Sequence, residues 1–213
     1  MRKIFVVTGL SLLTALAAFA TDEPRFETFL GYNFVRFNPN SGFIPSFNAN
    51  GGGGQFVYNV NHWLSGVFDA GAVNKGTLNG FNFDTTVVNF VAGPRFTYRH
   101  HNRFQPFVQV LFGGAYATTS TQVSLRALDL TTIPPVFFAN PNNPVSSRVH
   151  ASNSGFAMMA GGGLDIKLSK HVAFRPVGAD YYLTRVSSLL TGGTTNRNNF
   201  RYSAGVNFLF GAM

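Results

Sequence analysis

The side chains best suited to act as a catalytic base at neutral pH are the histidines at positions 62, 100, 101, 150 and 171. A serine hydrolase needs such a base within hydrogen-bond reach of its nucleophile, and a third group that orients the base. His150 alone has several serines close to it in sequence, namely Ser146, Ser147, Ser152 and Ser154. No carboxylate lies between Asp129 and Asp165 to orient it. A hydrolase built on His150 is therefore only an alternative.

Patterns that could bind a metal or a phosphate are incomplete. His100 and His101 are adjacent, so their side chains point apart on an extended chain, and no third ligand lies near. The glycine run 51–54 is not followed by the Lys-Ser/Thr pair of a phosphate loop. The chain has no cysteine, which excludes a thiolate zinc site and a cysteine nucleophile. We expect no catalytic, metal-binding or cofactor-binding residue, and predict that the protein is not an enzyme.

A second set of residues that could act together consists of eight charged side chains, which could form ion pairs with one another. Four are acids and four are bases, so the set could neutralise itself. Its members are Glu27, Asp69, Arg95, Asp165, Lys167, Arg175, Asp180 and Arg201. Whether these side chains can meet depends on the elements that carry them.

Period-2 alternation predicts those elements to be strands. Eight segments alternate, near 25–37, 53–61, 64–72, 85–98, 105–119, 155–168, 172–185 and 199–210. Short connectors (61–63, 99–104, 169–171) alternate with long ones (38–52, 73–84, 120–154, 186–198). The pattern predicts an all-β fold, an eight-stranded antiparallel up-and-down transmembrane β-barrel with short periplasmic turns and long extracellular loops.

The last strand indicates which face meets lipid. Phe200, Tyr202, Phe208 and Phe210 share one face with small apolar residues, whereas the other carries Arg201, serine, glycine and asparagine. A row of rings opposite a small polar face is typical of a strand between lipid and a polar barrel interior. The same alternation places Arg95 and Asp165 opposite the aromatic faces of their strands.

Exposure of such charges to lipid would be unfavourable, by about 2–4 kcal/mol for a basic residue at the midplane. We therefore predict that the eight charges form a network inside the barrel. Eight strands leave room inside for side chains only. The expected interior is closed, filled by ion pairs and small residues.

One pair of charges does not fit a regular strand. Arg175 and Asp180 are five residues apart, which places them on opposite faces. Pro176 lies between them and cannot donate a ladder hydrogen bond. We infer a β-bulge near 176–178 that returns both charges to the interior. The alternative places Asp180 near the headgroup boundary.

The N-terminus predicts export. Arg2 and Lys3 precede an apolar run that ends in Ala18-Phe19-Ala20, a small-x-small cleavage site, so residues 1–20 are predicted to be a signal peptide and 21–213 the barrel domain. The net charge of +8 becomes +6 without Arg2 and Lys3 (8 − 2), and the basic residues form no cluster. We expect no nucleic-acid binding. No later stretch is long and apolar enough for a transmembrane helix.

The longest connector, 120–154, contains four prolines and an apolar patch of its own. Loops of this length are usually functional or disordered. The connector is interpreted as a cap over the barrel mouth or as a contact site for a partner outside the cell. Aromatic residues could form girdles at both interfaces, with Tyr32, Phe34 and Phe37 at one end and Trp63, Phe96, Tyr98 and Phe104 at the other.

The final strand resembles the C-terminal signal of bacterial outer-membrane barrels, matching it at Ser203, Gly205, Phe208 and Phe210. It differs by the added residues 211–213. The segments 162–169 with 172–177, and 90–96, resemble strands of the small OmpA-like and OmpX-like barrels. The resemblance covers the whole mature chain. The sequence does not contain the peptidoglycan-binding domain that can follow such a barrel, so we do not expect this protein to tether the outer membrane to the cell wall.

The resemblance implies a bacterial outer-membrane location and a structural or surface-interaction role without a cofactor. The implied partners are outer-membrane lipid, the barrel-assembly machinery through the C-terminal strand, and an unknown extracellular partner through the loops. Two alternatives stay open. One is a narrow pore for small solutes, and the other is a soluble periplasmic lipocalin-like barrel that binds an apolar ligand.

Overall fold

The fold was analysed in a computed structural model. The structure describes residues 24–38, 46–76, 83–100, 103–125, 127–129, 136–138, 145–187 and 194–212, with the side chains of 83, 121–151, 186–187, 194–195 and 212 left out. The predicted signal peptide lies outside these residues. No helix in the described ranges is long and apolar enough to cross a membrane.

Eight long strands close into one antiparallel barrel, which confirms the predicted fold class. Its strands are β1 (Pro24–Phe37), β2 (Phe47–Asn59), β3 (Leu64–Lys75), β4 (Phe83–Thr97), β5 (Phe104–Leu125), β8 (Val145–Lys167), β9 (Val172–Ser187) and β10 (Thr194–Ala212). Two short strands, β6 (Ala127–Asp129) and β7 (Val136–Phe138), pair with each other apart from the barrel. Around the barrel the order is β1-β10-β9-β8-β5-β4-β3-β2.

The strands are staggered by ten residues around the barrel. A row of paired residues that starts at Leu64 on β3 passes through Phe96, Val108, Gly162, Ala179, Tyr202, Phe34 and Asn50. It returns to β3 at Asn74, which is ten residues from its start (74 − 64 = 10). This stagger requires tilted strands, by about 35–45° in barrels of this kind.

The alternation separates two chemically different surfaces. Large apolar side chains point outward, for example Phe90 at 53% exposure, whereas Arg201 is 1% exposed inside the barrel. The alternative of a soluble lipocalin-like barrel requires the reverse orientation and is therefore wrong. Of the predicted girdle rings, Tyr32 and Trp63 are exposed on the outside, but Phe37 is buried in the interior.

Strands β5 and β8 are much longer than predicted. Their pairing continues past Thr119 and Gly155, the predicted boundaries, up to Leu125 and Val145. The two ends of the predicted long connector, 120–125 and 145–154, are therefore the paired strands of a β-hairpin. The prediction relied on apolar–polar alternation, which lipid imposes only on the part of a strand that lies within the membrane. We call the end of the barrel that carries this hairpin the hairpin end, and the other the short-turn end.

The bulge inferred from the sequence is present in β9. Opposite β10, Ser203 pairs with Gly178 but Gly205 pairs with Arg175, so two residues of β9 face one of β10. The register against β8 also shifts, between Leu164 and Ile166. The extra residue shifts the alternation of β9 by one position. Arg175 before the bulge and Asp180 beyond it are therefore both buried in the interior.

Two glycines make room for rings inside the barrel. A Cβ at Gly31 would lie 2.5 Å from Cζ of Phe29, and one at Gly163 would lie 2.8 Å from Cζ of Phe107. Both distances are shorter than any van der Waals contact, so these positions admit the inward rings only because they lack a side chain. The interior is therefore not filled by small residues alone.

Candidate functional site in the barrel interior

Arg201 joins two carboxylates that lie on different strands. Its Nη1 donates to both oxygens of Asp69 on β3, at 2.9 Å each. Its Nε and Nη2 donate to Oδ2 of Asp180 on β9, at 3.1 and 2.8 Å. All three side chains are almost completely buried. Charge-assisted pairs of this geometry are strong, and removal of one member leaves a buried unpaired charge.

A second ion pair joins β8 to β9 next to the bulge. Arg175 donates through Nε and Nη2 to the two oxygens of Asp165, at 2.6 and 2.9 Å. Its guanidinium carbon also lies 4.3 Å from the ring centre of Phe29 and 4.4 Å from that of Phe107. Because aromatic faces attract cations, the two inward rings help to hold a charge that is fully removed from water.

Arg95 is buried without a carboxylate partner. Its Nε and Nη2 donate to Oε1 of Gln109, at 3.2 and 2.8 Å, and its Nη2 also donates to Oε1 of Gln55. Its guanidinium carbon lies 4.2 Å from the Phe107 ring centre. Nη1 has no hydrogen-bond partner within the described ranges.

Two glutamines connect the arginines to the aspartates. Gln55 accepts hydrogen bonds from Arg95 and Arg175 at its oxygen, and its Nε2 donates to Asp69 at 2.8 Å. Gln109 accepts from Arg95 and donates to Asp180 at 3.0 Å. Each amide thus presents its acceptor to cations and its donors to anions, which fixes its orientation.

Glu27 is held at the short-turn end by a residue that lies outside the strands. Arg99 follows β4 and donates through Nη2 to Glu27 Oε1 at 2.9 Å and through Nη1 to the carbonyl oxygen of His62 at 2.9 Å. Asn59 and Asn207 donate to the two oxygens of the same carboxylate at 2.8 Å each. This cluster spans three strands and two turns, and it fills the interior at this end.

The eight predicted network residues are not equally connected. Six form ion pairs: Glu27, Asp69, Asp165, Arg175, Asp180 and Arg201. Arg95 is linked through glutamines. Lys167 is half-buried, and its side chain makes no ion pair with any described residue. Sequence reasoning missed Arg99, which it assigned to a turn, and the polar uncharged side chains, because it searched the strands for charges only.

Toward the hairpin end, the interior is mostly apolar, with Thr184 and Asn199 as buried polar exceptions. Buried side chains there come from seven strands and include Val35, Phe37, Ala49, Val73, Val87, Ala115, Ala157, Met159 and Tyr182. Phe37 stacks on Phe47 with ring centres 5.2 Å apart and meets Tyr182 edge-on. The expectation of ion pairs and small residues throughout the interior is therefore wrong for this part, because inward valines and rings fill it with apolar surface.

The interior carboxylates have little capacity for acid–base catalysis, because arginine or amide donors occupy all four of them. No group of three or more metal-ligating side chains occurs among the residues that the structure describes. His62, His100 and His171 lie at the short-turn end. His101 lies outside the described residues, as does the side chain of His150.

The protruding part of β8 offers an open edge. This strand pairs with β5 along its whole length, up to Val145. It pairs with β9 only between Phe156 and Lys167. Over 145–155, the β9-side edge of β8 has no partner strand in the described part of the chain. Unpaired edges of this kind template the pairing of another strand.

The four residues that resemble an assembly signal lie on the last barrel strand. Ser203 is buried in the interior, and Gly205 packs against the backbone of Leu30 on β1. Phe208 and Phe210 lie on the outer surface and pair with Thr28 and Phe26 of β1. The additional residues 211–212 continue the strand, with Ala212 opposite Pro24.

Comparison with known proteins identifies a family and a shared fold. The profile of the outer membrane protein beta-barrel domain family matches residues 5–208. No curated protein sequence matches the chain. Ail, the attachment invasion locus protein of Yersinia pestis, is similar over 88% of this chain and 99% of its own, at 14% identity and a TM-score of 0.55. Its complex with the heparin analogue sucrose octasulfate gives 15% identity over 88% and 99%, with a TM-score of 0.54. Neisserial surface protein A is similar over 87% of this chain and 97% of its own, at 13% identity and a TM-score of 0.56.

Proposed function

The chain belongs to the outer membrane protein beta-barrel domain family, and from this we propose that it is a closed barrel that meets partners outside the cell through the β5–β8 hairpin. Its location is the bacterial outer membrane, as for the barrels that it resembles. The proposal concerns what the two parts of the barrel do there. The interior holds the strands together and blocks passage, and the hairpin provides a surface for recognition.

The charged network and the apolar layer support a closed interior. Arg201, Arg175 and Arg95 are each buried to 1% exposure or less, which supports an interior closed to water at the middle of the barrel. The alternative is a narrow pore for small solutes. Current measured across a planar bilayer that contains the purified protein distinguishes the two. We expect no stepwise conductance, whereas steady unitary currents would favour the pore.

The observation that carries the recognition role is the β9-side edge of β8 over Val145–Gly155, which pairs with no described strand. Asn153 already makes a contact, so the proposal rests on the other residues of this edge. An extended peptide could add to it as a further strand, since main-chain hydrogen bonds supply affinity in that mode of binding. Ail binds a heparin analogue in one of its structures, but a sugar cannot continue a sheet. We therefore propose an extended polypeptide as the extracellular partner.

A shortened hairpin tests this role. Thr121 pairs with Val149, so replacement of residues 122–148 by an Asn-Gly turn should close the hairpin at this pair and remove the outermost four of the eleven residues of the open edge, 145–148. Twelve-residue peptides selected from a random library on the wild-type protein in nanodiscs serve as the probe. We expect them to bind the wild type, to bind the shortened protein more weakly, and to protect amides of 145–155 from hydrogen exchange in the wild type.

Peptides that bind both proteins equally, or that protect no amide in 145–155, would refute recognition through the edge. Heat-modifiable gel mobility of the shortened protein is the control for folding. Because Phe83 on β4 still pairs with Thr121 in that design, the barrel itself should form as in the wild type.

We further propose that the C-terminal strand is what the barrel-assembly machinery recognises, through Ser203, Gly205, Phe208 and Phe210. The outward position of both rings supports this, since a partner can reach them before the barrel closes. Cleavage of residues 1–20 as a signal peptide remains a prediction, which N-terminal sequencing of the exported protein would test.

A further inference from the structure

Two arginines point away from the barrel near its hairpin end. Arg36 on β1 and Arg185 on β9 are exposed on the outer surface, where most neighbouring strand positions carry apolar residues. Neither makes a hydrogen bond or ion pair in the part of the chain that the structure describes. The interior arginines Arg95, Arg175 and Arg201, in contrast, have polar partners. Arg25, an outward arginine at the short-turn end, donates to the hydroxyl of Tyr58 at 3.0 Å.

Both arginines lie at the upper limit of the membrane-spanning surface. On β1 the outward rings begin at Phe26, and Arg36 follows ten residues later (36 − 26 = 10). On β9 they begin at Phe174, and Arg185 follows eleven residues later (185 − 174 = 11). Ten residues of a tilted strand rise by roughly 25 Å, which is about the height of the apolar band of such barrels. The two guanidinium groups are therefore at headgroup level.

The two arginines are close enough to contact one ligand. Strand β10 lies between β1 and β9, and Arg36 pairs with Phe200 while Arg185 pairs with Asn196. Two strand spacings separate their backbones in the pairing direction, about 10 Å, and the four residues from Asn196 to Phe200 add about 13 Å along the strands, so the two backbone positions are about 16 Å apart. Extended toward each other over that distance, the two side chains can contact two linked anionic groups.

Asn198 lies between the arginines and adds a third donor. The hydroxyl of Tyr181 donates to its Oδ1 at 2.6 Å, which leaves its amide N–H groups free to face outward. Asn38 donates to the backbone oxygen of Asn198 at 2.9 Å, and this anchors the position further. Below the three donors, the exposed rings of Tyr181 and Phe200 form an apolar floor.

We propose that Arg36, Asn198 and Arg185 form a binding site for the phosphate groups of an outer-leaflet lipid, whose acyl chains lie against Tyr181 and Phe200. Arginine recognises phosphate by paired charge-assisted hydrogen bonds. Unpaired guanidinium groups at headgroup level also attract anionic lipid. Donors above rings match a molecule with a phosphorylated head and an apolar tail, which a soluble anion lacks.

Lipid retention tests the site. The wild type, the Arg36→Gln/Arg185→Gln double variant and Asn198→Asp are purified in detergent and given bisphosphorylated lipid A. Bound lipid is counted by native mass spectrometry. Arg25→Gln is the matched control, because Arg25 is an outward arginine at the other end. We expect the double variant to bind lipid A at least about tenfold more weakly than the wild type, since it loses two charge-assisted contacts. Asn198→Asp should also bind weakly, because it places a negative charge beside the phosphate, and Arg25→Gln should bind as the wild type.

Equal binding by the wild type and the double variant would overturn the proposal. So would competition by millimolar inorganic phosphate that removes all bound lipid, because the site would then be selective for the anion alone. Asn198→Asp keeps both arginines, so its result stands even if the double variant fails to fold. Heat-modifiable mobility is recorded for each variant.

Discussion

The interior of this barrel depends at the level of single residues on amides as much as on charges. Gln55 and Gln109 each bind arginine through oxygen and aspartate through nitrogen. A glutamine can do this because its two ends differ in hydrogen-bonding character. Arg95 therefore remains connected to Asp180 although no carboxylate touches it. Charge counting along the strands cannot find such a link, since it assigns no role to neutral residues.

Removal of an arginine should matter more where carboxylates depend on it. Arg201→Leu leaves Asp69 and Asp180 without their cation, so we expect the free energy of unfolding to fall by about 3–5 kcal/mol. Arg95→Leu leaves no carboxylate unpaired, and its expected loss is smaller, about 1–2 kcal/mol. Urea unfolding in lipid vesicles measures both. Equal losses, or a larger one for Arg95→Leu, would contradict the assigned connections.

Gln55 should be more important than a similarly buried glutamine outside the network. Gln55→Leu removes the bonds to Arg95, Arg175 and Asp69, and we expect unfolding to require about 2–4 kcal/mol less. Gln105 is also buried and inward-facing. It has no side-chain bond to a charged group within the described ranges, so Gln105→Leu is the matched control and should cost under about 1 kcal/mol. The same urea titration tests the pair.

At the scale of elements, much of the arrangement was predictable from alternation. Lipid outside and polar groups inside impose a two-residue period, which gave the eight barrel strands and their faces. The five-residue spacing of Arg175 and Asp180 also gave the bulge. The protruding hairpin was not predictable in this way, because a strand beyond the bilayer has no lipid face to reveal it. Arg99 was missed because turn residues carry no periodic signal of orientation.

The bulge in β9 predicts an unusual tolerance to deletion. Because β9 has one more residue than its neighbours at 175–178, deletion of Val177 should yield a regular strand that keeps Arg175 and Asp180 inside. We expect this variant to fold and to show heat-modifiable mobility on gels.

Deletion of Phe90 from β4 is the comparison. No bulge lies beside Phe90, whose pairing with Ala70 and Gly114 is regular. Its removal turns every later residue of the strand to the opposite face, so we expect no folded band. A folded ΔPhe90 protein, or an unfolded ΔVal177 protein, would show that register does not depend on the bulge.

At the scale of the whole molecule, three layers fill the interior in series. The Glu27–Arg99 cluster lies at the short-turn end, the arginine–aspartate network in the middle and the apolar layer toward the hairpin end. The inward valines of the apolar layer occupy the face on which the sequence predicted charge, so the layer was not foreseen. Its surface is mostly apolar and therefore unfavourable for ions, although Thr184 and Asn199 are also buried there.

Disruption of one of the three layers should therefore not make the barrel conduct ions. Arg99→Ala removes the cation at the short-turn end but leaves the two other layers intact, and we expect no current across a planar bilayer. Loss of stability is the expected effect, about 3–5 kcal/mol from the unpaired Glu27. Stepwise currents from Arg99→Ala would mean that Arg99 alone keeps the interior closed.

The interior contacts also bear on how the chain enters the membrane. Arg201 binds Asp69 across 132 residues of sequence, and Asn207 binds Glu27 across 180. Neither contact can exist until the last strand has arrived. A half-inserted chain thus carries uncompensated charge at its centre. This charge favours return of the chain from the membrane over accumulation of the half-inserted state. Insertion should accordingly behave as an all-or-none event. The finished barrel should be released into the membrane only after its final strand has formed these contacts with the first strands.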